Sequence, residues 1–180
     1  YDTVTTKINS SIPTSGLVAH YPFNGNANDE STNSNYGTVT GATLTTDRFG
    51  NANSAYSFDG VNSIIEVPSS SSFDMSAEFT FSLWILRDSI SEYIEEGDIL
   101  LHREDGNAGG FAVFVSDLNW KPKLRVRQWH LNEQSLIGVP PVLEKQWVHL
   151  AFKYSGDSLF IYNNGNVTKA ATVIKNMGSS

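Results

Sequence analysis

Short runs of alternating apolar and polar residues recur along the chain between clusters of Asn, Gly, Ser and Asp, and no window keeps a helical 3.6-residue period for three turns. The alternation predicts strands over 17–23 (LVAHYPF), 54–58, 63–67, 78–86 (EFTFSLWIL), 109–116, 123–129 and 146–154 (QWVHLAFKY). A period of two places Phe79, Phe81, Leu83 and Ile85 on one face and Thr80, Ser82 and Trp84 on the other. It likewise separates Val148, Leu150 and Phe152 from Trp147 and His149. The run SLFIY, then Asn163, Asn164, Gly165 and Asn166, then VTKAATV predicts a tight hairpin, because Asn and Gly tolerate the positive φ such a turn needs. Many short strands, polar connections and no βαβ alternation predict an all-β fold: a two-sheet antiparallel β-sandwich. No internal repeat is visible.

Composition narrows the class. With 180 residues, 39% hydrophobic and 17% charged, the chain suits one globular domain rather than a disordered or coiled-coil protein. Residues 1–15 are rich in Ser and Thr and lack a hydrophobic period, so they read as a linker into a domain at 16–180, tethered to a larger parent. A net charge of -7 argues against nucleic acid as partner, since no excess of Lys and Arg is available to displace counterions from phosphates. No run of about 18 apolar residues is present to insert in a membrane as a helix. The opening YDTVTTKINSSIPTSG lacks the basic and then apolar order of a signal peptide, so a mature or excised chain is expected. Absence of Cys removes disulfides, thiolate metal sites and a Cys nucleophile, and leaves the compartment open.

The segments GLVAHYPFNGNANDES, TLTTDRFGNANSAYSFDGVNSIIEVP, FTFSLWI and QWVHLAFKYSGDSLFIYNNG, in that order, resemble the laminin G-like (concanavalin A-like) jelly-roll domain of bacterial surface and secreted proteins. The resemblance spans roughly residues 16–170. It implies a concanavalin A-like jelly roll, an extracellular or cell-surface location, and a family of lectins, carbohydrate-binding modules, adhesion modules and spacers. It also implies that Trp84 packs under loops, at or near the core. Domains of this kind end in a strand of the form I-D-D-x-R-x-Y beside the first strand, whereas this chain ends at Lys175–Ser180. The expectation is therefore an open edge at Leu17–Phe23, filled by a partner segment or a neighbouring domain.

Three groups of residues carry candidate chemistry. For hydrolysis, a retaining glycosidase needs two carboxylates about 5–5.5 Å apart, and the E-x-D-x-x-E run of the concanavalin-like enzymes is missing. Glu92, Glu95, Glu96 and Asp98 read instead as a solvated acidic loop, and the expectation is a non-enzyme. The loop Asn24–Ser31 offers close-spaced oxygen donors of the kind Ca²⁺ takes, although Asn and Gly there also simply permit turns. The resemblance implies a structural calcium near this loop, with Asp29 the first ligand candidate and Asn26 and Asp59 behind it.

The third group is a row on 123–129, where Arg125, Arg127 and Trp129 share a face, with Trp120 just upstream. An indole can stack on a sugar while Arg grips a carboxylate, sulfate or vicinal hydroxyls. The same pattern also serves as a solubilising outer face. His149 either joins such a surface or hydrogen-bonds a neighbour. Asn-x-Ser/Thr triplets at Asn9 and Asn166 arise often by chance and imply no glycosylation. The functional expectation is a non-catalytic module that binds polysaccharide or cell-surface glycan through Arg125, Arg127, Trp129, Trp120 and His149. The alternative is a structural or adhesion module with protein contacts.

Overall fold

Period-two patterning and polar turns produce antiparallel ladders throughout. The computed structural model describes residues 12–73, 78–88, 98–103, 111–117, 122–128, 142–155 and 158–172. Their elements, in chain order, are β1 (Thr38–Thr40), β2 (Thr43–Thr45), β3 (Ala55–Ser57), β4 (Ile64–Glu66), β5 (Glu78–Leu86), β6 (Asp98–Arg103), β7 (Phe111–Asp117), β8 (Pro122–Gln128), β9 (Trp147–Ser155), β10 (Ser158–Asn163) and β11 (Asn166–Thr172). The one helical turn among these residues is a 3-10 turn at Ser71–Phe73. No described helix is long and apolar enough to cross a membrane.

The chain divides into two compact units, Tyr1–Asp74 and Met75–Ser180. In the first, β1 pairs with β4 and β2 with β3, each ladder only three residues long. Gly37, just before β1, lies tight against its surroundings: a Cβ there would sit 2.7 Å from Ile65 Cγ2 and 3.1 Å from the Ala27 carbonyl oxygen. Gly37→Ala is expected to cost about 1–3 kcal/mol, read from the urea midpoint, because backbone as well as side chain must give way. An unchanged midpoint would show that this corner relaxes freely.

The predicted first strand takes part in no ladder among the described residues. Among the described residues, the backbone of Leu17–Phe23 is served from one side by polar groups of the following loop. Asn33 Nδ2 and Asn35 Nδ2 donate to the Val18 carbonyl at 2.9 and 3.1 Å. The His20 N–H donates to Asp29 Oδ1 at 2.8 Å, and the Glu30 N–H donates to the His20 carbonyl at 2.8 Å. Side chains of Asp, Asn and Ser thus supply the bonds that a neighbouring strand would otherwise make. The expectations for residues 1–11 and for the chain end from Lys175 lie outside the described residues.

In the second unit a four-stranded sheet runs β11-β10-β9-β5 and a three-stranded sheet runs β6-β7-β8. Strand β5 has the predicted bounds, 78–86, and its burial alternates along its whole length. Its partner β9 contributes the apolar centre: Leu150 and Phe152 are each 1% exposed, with Val148 and, from β10, Ile161 beside them. The hairpin between β10 and β11 closes at Asn164 (φ 48°) and Gly165 (φ 78°), both in the left-handed region, as a two-residue turn of this type requires.

Candidate functional site

Strict alternation on β5 and β9 fills one face with Leu150, Phe152 and their neighbours and forces every second residue onto the other face. Directly opposed residues in an antiparallel ladder share a face. The opposite face is therefore built in rungs: Leu86 with Trp147, Trp84 with His149, Ser82 with Ala151 and Tyr162, and Thr80 with Lys153 and Phe160. Trp84 is 42% exposed, and its ring lies 5.1 Å from the His149 ring at an interplanar angle of 42°. Ser82 Oγ and His149 Nε2 are hydrogen-bonded at 2.7 Å, which fixes the imidazole plane. The His149 backbone is also held, its N–H donating to Asn164 Oδ1 at 3.0 Å and its carbonyl accepting the Asn164 N–H at 2.8 Å. Trp147, Ala151, Lys153, Phe160 and Tyr162 are half-buried.

A Ser–His contact of this length has the reach of a nucleophile and its base. Within β5 and β9 the backbone beside it is engaged in the ladder, so these two strands offer no pair of N–H groups to receive a developing oxyanion. What the face can do is present an exposed indole and a hydrogen-bonded imidazole to a ligand that stacks and hydrogen-bonds.

The predicted binding residues fall in two sheets. Arg125 and Arg127 lie on β8, on one face with Lys123 by register; they sit opposite Phe114 and Ala112 of β7, and Ala112 in turn faces His102 of β6. His149 lies on β9, in the other sheet. No described ladder brings His149 and the arginines together. Trp120 and Trp129 lie outside the described residues, as do Glu92, Glu95 and Glu96, while Asp98 opens β6. Trp84 stands 42% exposed on the rung it shares with His149. Its outward place in EFTFSLWIL was the available signal.

The candidate calcium ligands are engaged by the chain itself. Asp29 is 4% exposed, and its carboxylate accepts from the N–H groups of His20, Ser31 and Asn35 and from the Ser31 hydroxyl, at 2.8–2.9 Å. Burial pushes this carboxyl up, but the four hydrogen bonds outweigh it and hold the group below the usual range. Asn26 Oδ1 accepts the Asn28 N–H at 2.8 Å. In the 59–63 turn Asp59 Oδ1 accepts from Val61, Asn62 and Ser63, and the Ser63 hydroxyl with these N–H groups holds its carboxyl far below the usual range. Among the described residues no group of three or more His, Asp or Glu side chains could hold a metal ion. The Asp29 oxygens thus staple a turn, and a Ca²⁺ would have to displace their donors. An unchanged melting midpoint on adding calcium and then chelator is expected of such a loop; a midpoint raised by calcium would place an ion there.

Antiparallel ladders among the described residues, with a single 3-10 turn, define an all-β protein. The family model described as the concanavalin A-like lectin/glucanases superfamily matches residues 58–179, and the chain belongs to that family. Among solved structures it is similar to domain 4 of AbnA, a GH43 extracellular arabinanase from Geobacillus stearothermophilus, in complex with arabinotriose. The two are 21% identical with a TM-score of 0.67, over 88% of this chain and 76% of that one, a likeness of fold. No curated protein matches the chain.

Proposed function

We propose that this protein is a non-catalytic carbohydrate-binding module, extracellular or at a cell surface, that recognises polysaccharide or cell-surface glycan. The observation that carries the reading is the exposed Trp84 ring beside a His149 imidazole held by Ser82, on the sheet face opposite Leu150 and Phe152. A ring platform with a fixed hydrogen-bonding neighbour suits the apolar face and hydroxyl rim of a sugar. The family and the arabinotriose complex of the similar domain support it. The basic row of Arg125 and Arg127, with Trp120 and Trp129, is a second proposed contact, suited to acidic groups.

The test is electrophoresis through gels containing soluble polysaccharides, arabinan among them. Retardation by at least one polymer is expected, and Trp84→Ala should weaken it by about 1–3 kcal/mol while the circular dichroism spectrum keeps its shape. Unretarded migration in a broad panel would remove carbohydrate from the proposal.

A second reading, a structural or adhesion module, draws on the first unit. Phe49 is 71%, Phe58 52% and Val61 86% exposed, all in its loops. Such apolar groups, or a partner segment added at Leu17–Phe23, would serve contacts with protein or with other domains.

A further inference from the structure

The rung through Ser82, Ala151 and Tyr162 is low at its middle, because Ala151 carries a single methyl group between two larger neighbours. Trp84 and His149 stand along one side of this low point, and Phe160 and Lys153 along the other. We propose that the trough over Ala151 takes an uncharged glycan strand, laid diagonally across β5, β9 and β10 from Trp84 to Tyr162. The proposal rests on the carbohydrate-binding reading above and names the sugar class and its path.

Charge selects the class. The rungs Leu86–Trp147, Trp84–His149 and Ser82–Ala151–Tyr162 contain no Asp, Glu, Lys or Arg. Lys153 lies in the next rung, bordering the trough on one side, and Glu78 lies one rung beyond, so the floor itself carries no charge. An anionic sugar on that floor would lose hydration without a cation at each acidic group, whereas a neutral sugar loses none of that kind. Spacing sets the path. Two strand-to-strand steps of about 4.8 Å and one two-residue step of about 6.7 Å separate Trp84 from Tyr162 by roughly 12 Å, a span for a short oligosaccharide rather than one ring. Ser82, the His149 ring and the Tyr162 hydroxyl line this diagonal as hydrogen-bonding groups, and no described residue hydrogen-bonds that hydroxyl.

The experiment runs the full chain through gels containing arabinan, which is neutral, or polygalacturonate, which is anionic, at low and high salt. The variants are Trp84→Ala, Trp84→Tyr, Ala151→Glu and Arg127→Ala, each checked by circular dichroism. Retardation by the neutral polymer, insensitive to salt, is expected. It should fall roughly tenfold or more in Trp84→Ala and Ala151→Glu and persist in Trp84→Tyr. Trp84→Tyr keeps a ring and Ala151→Glu removes nothing from the face, so the placement can be judged even if Trp84→Ala unfolds. Salt-sensitive retardation by the anionic polymer alone, lost in Arg127→Ala, would overturn the neutral trough while leaving carbohydrate binding in place. Neutral-polymer retardation indifferent to Ala151→Glu would overturn the path. Failure with both polymers and with a wider panel would instead take down the reading beneath it.

Discussion

Phe152→Ala is expected to cost about 4 kcal/mol of unfolding free energy, measured by urea denaturation, within the roughly 3–5 kcal/mol typical of a buried Phe truncated in a close-packed interior. Phe152 is 1% exposed at the middle of β9, with Phe81 of β5 on one side and Ile161 of β10 on the other. All three strands lose packing when its ring is removed. Such a loss is a large fraction of the stability of an ordinary domain, about 5–15 kcal/mol. Phe152→Leu, which keeps most of the volume, should cost markedly less. Equal costs for the two would mean that the site collapses around the cavity and that the ring does not set the spacing of the sheet.

Asp29→Ala is expected to cost about 3 kcal/mol, because it leaves the N–H groups of His20, Ser31 and Asn35 without their acceptor in a place only partly open to water. Asp29→Asn should be little better, since one amide hydrogen pair must face N–H donors. Ser31→Ala removes one donor and should cost about 1 kcal/mol. The same cluster sets a pH window. Because the folded Asp29 carboxyl titrates below its ordinary value, its contribution is complete above the unfolded carboxyl range, about pH 4, and is lost as pH falls through the folded value. At the alkaline end the Tyr21 hydroxyl donates to the Asn35 carbonyl at 2.6 Å. Burial, and then the neighbouring Asp29 charge, push it up to about 12 from 10.0. The folded state keeps that proton longer than the unfolded one, so stability is full below pH 10 and drains away between 10 and about 12. Urea midpoints across both limbs read these effects, and Tyr21→Phe should flatten the alkaline one. An alkaline limb unchanged in Tyr21→Phe would assign it to other groups.

Much of the second unit was legible because its signals are local. Alternation in EFTFSLWIL gave β5 to the residue, and Asn164–Gly165 gave the hairpin, since each pattern lies within a few neighbouring positions. Strands β1 and β2, three residues each, are too short to show a period, and DILLHR in β6 has consecutive apolar residues in place of alternation. Leu17–Phe23 alternates like a strand, yet its bonds come from Asp29, Asn33 and Asn35, a substitution that periodicity does not register. The outward positions of Ser82, Trp84 and His149 were readable one strand at a time. Their meeting was not, because Ser82 and His149 are 67 residues apart and only the register of β5 on β9 sets them side by side.

Asn164 gives the hairpin tip a second duty. Beyond turning the chain at positive φ, it trades two hydrogen bonds with the His149 backbone and so completes the rung on which Trp84 stands. For anyone wishing to splice in an epitope tag or a linker, this exposed corner is a poor place to cut: a graft at Asn164–Gly165 would be felt first at the indole, several residues away in space and eighty in sequence. The 46–54 loop of the other unit, whose Asp47 bonds stay among its own residues, is the better point of attachment.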